Sequence, residues 1–157
     1  MNFLESLAAE WFEYSGYFVR TNVRTRKRKK GGYDCELDVL AYMPSTKELI
    51  HVETSGDSAS WANREKRFRS KKFVFKRNEY AKLLGAPIST VRRIAIVGQC
   101  KTTKNPLDWG DGIEVWLIPR FLGDVAEELR KKNYMSEGVP EGYPILRTIQ
   151  WVVNLEV

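Results

Sequence analysis

CELDVLAYMPSTKELIHVETS, residues 35–55, decides the fold. Two apolar runs, CELDVLAYM and ELIHVET, flank the turn cluster PSTKE, and the pattern predicts two antiparallel strands. Alternate residues of a strand share a face. Glu36, Asp38 and Leu40 therefore point one way, and Cys35, Leu37 and Val39 the other. In the following strand His51, Glu53 and Ser55 share one face, while Ile50, Val52 and Thr54 share its opposite. Strands joined by so short a turn can set Asp38 beside Glu53. Two unpaired carboxylates there repel each other and resist desolvation. An oxygen-preferring divalent ion relieves both problems, and Mg²⁺ typically takes one or two carboxylates together with waters and phosphate oxygens. Asp38 and Glu53 are thus the expected ligands of Mg²⁺ or Mn²⁺.

Upstream, Phe3, Leu4, Leu7, Ala8, Trp11 and Phe12 recur at the spacing of one helix face, and Gly16 stands where that helix would end. YFVRTNVRTR reads as a strand and RKRKKGGYD as a basic turn. Downstream, DSASWANREKRFRSKKFVFKRNEYAKLLG predicts one long basic helix, broken around Lys71–Lys76 if anywhere, with Asp57 and Ser58 as capping residues. VRRIAIVGQ is a short apolar strand of the buried kind. IEVWLIP predicts a strand, RFLGDVAEELRKKN a helix, and ILRTIQWVVNLEV a closing strand with Ile145, Ile149, Trp151, Val153 and Leu155 on one face. The expectation is a single α/β domain over 1–157, with an α-β-β-β-α-β core over 3–100 and a β-α-β extension over 111–157. A mixed central sheet would be flanked by helices.

Charge is concentrated. Net charge is +6 across 157 residues, and 16 of the 26 Lys and Arg fall in two segments, Arg20–Lys30 and Arg64–Lys82. Such concentration on part of a small domain is the footprint of a polyanion, most often nucleic acid. Arg26, Lys27, Arg28, Lys29 and Lys30 on the hairpin tip, with Arg64, Lys66, Arg67, Lys71 and Lys72 on the helix, are the expected phosphate contacts. Trp61 is the best placed aromatic for base stacking.

These elements, in this order, resemble the PD-(D/E)xK nuclease superfamily, to which restriction endonucleases and archaeal Holliday-junction resolvases belong. The resemblance covers residues 3–100. LESLAAEWFEYSGYFVR is similar to the opening helix of resolvase-like members, which maps their helix glutamate onto Glu5, with Glu10 as the alternative. ELDVLAY supplies Asp38 as the strand aspartate, and HVETS supplies Glu53 as the glutamate of the Glu-x-Lys element. The resemblance implies a restriction-endonuclease-like fold and metal-dependent hydrolysis of DNA phosphodiesters by an activated water. It also implies a possible homodimer, since cutting two strands calls for two active sites.

Ser55 departs from the pattern, because it stands where the family carries its catalytic lysine. Three explanations remain open at this point. The lysine has moved to Lys66, Lys71, Lys72 or Lys101; Gln99 or a second metal orients the water; or the chain binds nucleic acid without cutting it. His51, the only histidine, either touches substrate or is a satisfied core histidine, the commoner case. A single histidine rules out any chemistry that needs two. Cys35 and Cys100 lack zinc spacing and read as buried thiols of a reducing compartment. With no secretory start and no apolar stretch long enough to span a bilayer, the expected location is cytoplasmic or nucleoid-associated, without membrane partners.

Overall fold

The computed structural model describes residues 1–98 and 107–155. Helix α1 (Phe3–Tyr14) begins at Asn2, whose side chain accepts from the Glu5 N–H while the Glu5 carboxylate accepts from the Asn2 N–H, a capping box that fixes the helix start. Gly16, at φ +97°, turns the chain out of the helix. Strands β1 (Phe18–Lys27), β2 (Tyr33–Met43) and β3 (Glu48–Ser55) form an antiparallel meander. β4 (Thr90–Val97) and β5 (Ile113–Leu117) then add in parallel, so the five strands lie in the order β1-β2-β3-β4-β5. The result is a mixed sheet flanked by helices.

The segment after β3 is not one long helix. Helix α2 (Trp61–Arg67) runs into a π-helical turn (Phe68–Lys72), then a bend and irregular residues over 73–76, then helix α3 (Arg77–Leu84). The apolar run Phe73, Val74, Phe75 explains the break. Phe73 and Phe75 are both buried, each in a different cluster, and a continuing helix would set residues two apart on opposite sides, so that only one could face the sheet. The cap of α2 is Ser60, which accepts from the Asn63 N–H, rather than Asp57 or Ser58.

The closing strand is likewise a helix, so the C-terminal extension is β-α-α rather than β-α-β. After β5 the chain enters α4 (Ile118–Arg130) and then α5 (Pro144–Leu155). The alternation at Ile149, Trp151, Val153 and Leu155 is incidental. The residues actually buried are Leu146, Gln150 and Val153, four and three apart, which is helical spacing. Pro144 opens the helix where a missing N–H does no harm, and Glu10 accepts from the N–H groups of Ile145 and Leu146.

Helices α1, α4 and α5 cover one sheet face over an apolar cluster that includes Leu7, Val39, Ile50, Val52, Ile94, Ile96 and Leu146. The segment from α2 to α3 covers the other, over clusters containing Leu40, Leu49, Phe75 and Tyr80 beside Phe68, Ala95, Val97 and Val115. Asp38, His51 and Glu53 lie on this second face.

Candidate metal and nucleic-acid site

The site forms where the β2–β3 ladder stops. The last paired residues at that end are Val39 and Val52. One step further, side chains take over from backbone carbonyls: the Asp38 N–H donates to Glu53 Oε1 at 3.2 Å, and the Thr54 N–H donates to Asp38 Oδ2 at 3.0 Å. Each carboxylate thus accepts a backbone N–H from the opposite strand, which holds both in register. Asn22 in β1, between the Thr21–Val39 and Val23–Leu37 pairs, takes φ +50°, a conformation asparagine tolerates better than most residues.

Glu53 is fully buried and Asp38 nearly so. Lys72, the last residue of the π-turn, places Nζ 2.9 Å from Glu53 Oε2 and 3.9 Å from Asp38 Oδ1. A π-turn inserts one extra residue into a helical turn and rotates the residues after it, and such turns concentrate at functional sites. Here it brings Lys72 down onto the carboxylates. The ammonium pairs with Glu53 in an orientation that leaves Oε2 without a directed hydrogen bond.

The two carboxylates ionise differently. Burial, then the neighbouring Glu53 charge, raises the Asp38 pKa to about 7, against the pull of the Thr54 N–H and Lys72. Glu5 adds to the rise, so its charge reaches the site although its carboxylate caps α1. Burial also opposes ionisation of Glu53, but the His51 hydrogen bond, followed by Lys72, outweighs it and holds the pKa below the usual range. Burial disfavours the Lys72 charge too, and the Glu53 and Asp38 carboxylates overcome it, raising its pKa. The cluster therefore contains one firm carboxylate, one that shares a proton near neutrality, and one ammonium.

Among the described residues, no three His, Cys, Asp or Glu side chains are grouped to hold a metal ion. The donor set suits a hard ion that draws few ligands from protein, since two adjacent carboxylates include one buried oxygen with no directed hydrogen bond. It does not suit zinc.

Ser55 has another job. Its hydroxyl donates to Asp57 and accepts from Arg67 Nη2 at 2.9 Å. That hydroxyl, then the Ala59 N–H, holds the Asp57 pKa well below the carboxylate norm. Arg64, expected at the surface, is buried: it bridges Asp57 to the Gly98 carbonyl and is not presented to solvent. Trp61 is half-buried against Trp109, ring centroids 5.5 Å apart. Glu10, the alternative helix glutamate, is committed to the start of α5. Gln99, Cys100 and Lys101 lie outside the described residues. Cys35 is half-buried, not fully buried.

The basic segments meet beside this cluster. The Cys35 thiol lies 3.9 Å from the Lys71 carbonyl, which seats the hairpin on the π-turn. Arg26 stacks over Phe75 at 4.7 Å and pairs with Glu79, and Arg28 pairs with Asp34. Lys27, Lys29, Lys30, Lys66 and Lys71 are exposed, and Arg67 and Lys72 partly so. Tyr80 is the residue with no signal in the sequence: its hydroxyl reaches His51 from α3, and no local pattern marks it.

The chain matches no protein-family model and no curated protein. No helix among the described residues is long and apolar enough to cross a membrane.

Proposed function

We propose that the protein is a Mg²⁺- or Mn²⁺-dependent nuclease of PD-(D/E)xK type acting on DNA, with a restriction-endonuclease-like core and with Lys72 as its relocated lysine. The observation that carries this is the position of Lys72 Nζ against both Glu53 and Asp38. In the family pattern the lysine comes from two residues after the glutamate. Here Ser55 is tied to Asp57 and Arg67, and the ammonium arrives from the facing helical segment.

Asp38 and Glu53 would hold the ion, and Glu5 would modulate its field. Bound between these carboxylates, such an ion would supply polarisation of a phosphate and activation of a water. The chain's own residues do the rest. Lys72 keeps a positive charge beside the carboxylates, to orient the attacking water and offset charge that builds on the phosphate. Lys66, Lys71 and the hairpin lysines take the flanking phosphates, which positions the strand without reading its sequence. Paired charges such as Arg28, with Asp34, and Arg67, with Asp57, contribute less.

The test is cleavage of linear duplex, four-way junction, flap and single-stranded DNA with Mg²⁺ or Mn²⁺. Native protein should cut, whereas Glu53→Gln should bind DNA and not cut. Binding without cutting by native protein in either metal would make it a nucleic-acid-binding module on the same fold.

A further inference from the structure

Behind Glu53 stands a line of buried polar atoms that the cleavage chemistry does not itself require. His51 Nε2 lies 2.8 Å from Glu53 Oε1, and His51 Nδ1 lies 2.7 Å from the Tyr80 hydroxyl. All three side chains are fully buried. The ring is clamped edge-on by Phe73, at 5.0 Å between centroids, and by Tyr80, at 5.6 Å.

The bonds have a direction. A carboxylate only accepts, so Nε2 carries the proton toward Glu53. In a neutral ring Nδ1 must then accept, and the Tyr80 O–H is the donor beside it. Oε1 thereby receives two donors, His51 Nε2 and the Asp38 N–H. Oε2 receives none that is well directed and faces Lys72.

We propose that Tyr80 and His51 are positioning residues that pin Glu53 through Oε1, so that Oε2 alone is presented to the divalent ion. This rests on the nuclease reading of the site. Hydrogen-bonded partners behind a metal ligand fix its orientation, and losing one commonly weakens metal affinity about 10–100-fold.

The experiment measures Mn²⁺ binding by electron paramagnetic resonance on full-length protein without DNA, with near-UV circular dichroism to check folding. The variants are Glu53→Gln, Tyr80→Phe, His51→Leu and His51→Gln. Tyr80→Phe removes one oxygen and keeps the ring, so it guards against a His51→Leu protein that fails to fold. We expect Glu53→Gln to lose Mn²⁺ binding, His51→Leu to weaken it at least tenfold, and Tyr80→Phe to weaken it about threefold or more. His51→Gln, which keeps a donor toward Glu53 and an acceptor toward Tyr80, should recover most of the loss. Folded Tyr80→Phe binding Mn²⁺ like the native protein, or His51→Gln no better than a folded His51→Leu, would overturn the positioning role while leaving the metal site intact. Unchanged binding by Glu53→Gln would overturn the site and the positioning role together.

Discussion

The two faces of the sheet are built on different terms. Under α1, α4 and α5 the buried residues run from Leu7 and Val52 to Leu129 and Leu146, with Gln150 a buried polar side chain satisfied by backbone groups at Lys132, Glu137 and Val139. Under the α2–α3 segment the same strands bury Asp38, His51 and Glu53, with Arg64 above them. Apolar burial stabilises in proportion to area, whereas a buried charge is unfavourable unless paired. Both faces carry apolar clusters, but the second adds buried ionisable groups that contribute little to stability unless paired.

Substitutions should separate the two faces cleanly. The largest effect is expected from Lys72→Met: cleavage at saturating DNA should drop by about 10²–10⁴-fold, the range typical for a positioned acid–base or charge-stabilising group. DNA affinity should change little, while some stability is lost because buried Glu53 loses its cation. A folded Lys72→Met protein that cuts at the native rate would make Lys72 a structural ion-pair partner instead. Next, Leu146→Ala on the apolar face should lower stability by about 2–5 kcal/mol through lost burial and a residual cavity. The residual folded protein should retain its Mn²⁺ affinity. A Leu146→Ala protein with native stability would mean that α5 contributes little to the core.

Asp38→Asn gives a smaller effect of opposite sign. The folded-state pKa, raised to about 7, lies above the unfolded carboxylate value, so the folded state holds a proton that the unfolded chain has released. Stability is therefore lost as pH rises from about 4 toward 7 and stays lost above it. With divalent ions chelated, Asp38→Asn should match native protein near pH 4 and exceed it by on the order of 1–3 kcal/mol at pH 8. Denaturation curves at the two pH values check this. A variant less stable than native at pH 8 would show that the Thr54 N–H to Asp38 bond outweighs repulsion from Glu53.

The sequence made the meander and the carboxylate pair legible because two apolar runs bracket a turn, and strand geometry then puts Asp38 and Glu53 on the same face. It was less informative wherever two periods fit the same residues. Ile149, Trp151, Val153 and Leu155 alternate as a strand would, yet Leu146, Gln150 and Val153 satisfy a helix equally well, and tertiary packing decides. The π-turn was legible only as a break near Lys71. Which lysine reaches Glu53 and Asp38 depends on how that single turn rotates, and side-chain periodicity does not encode it. Arg64 shows the same limit for charge: a basic run indicates a polyanion partner, but not which arginine is folded inward onto Asp57 and Gly98.

The hairpin tip offers the finest test, since it lies outside both faces. Lys29 and Lys30 are exposed, whereas Arg28 next to them is paired with Asp34. A free cation that neutralises a phosphate releases a counterion on binding, and each such contact contributes about 0.9 to the slope of log affinity against log salt. A cation already matched to a carboxylate gains less. Replacing Lys29 and Lys30 by alanine together should flatten that slope by about 1–2, with the cutting rate at saturating DNA unchanged. Arg28→Ala should alter it by less than either lysine. Equal slopes for both variants and the native chain would remove the hairpin from the nucleic-acid interface, leaving Lys66 and Lys71 around the carboxylates to hold the strand.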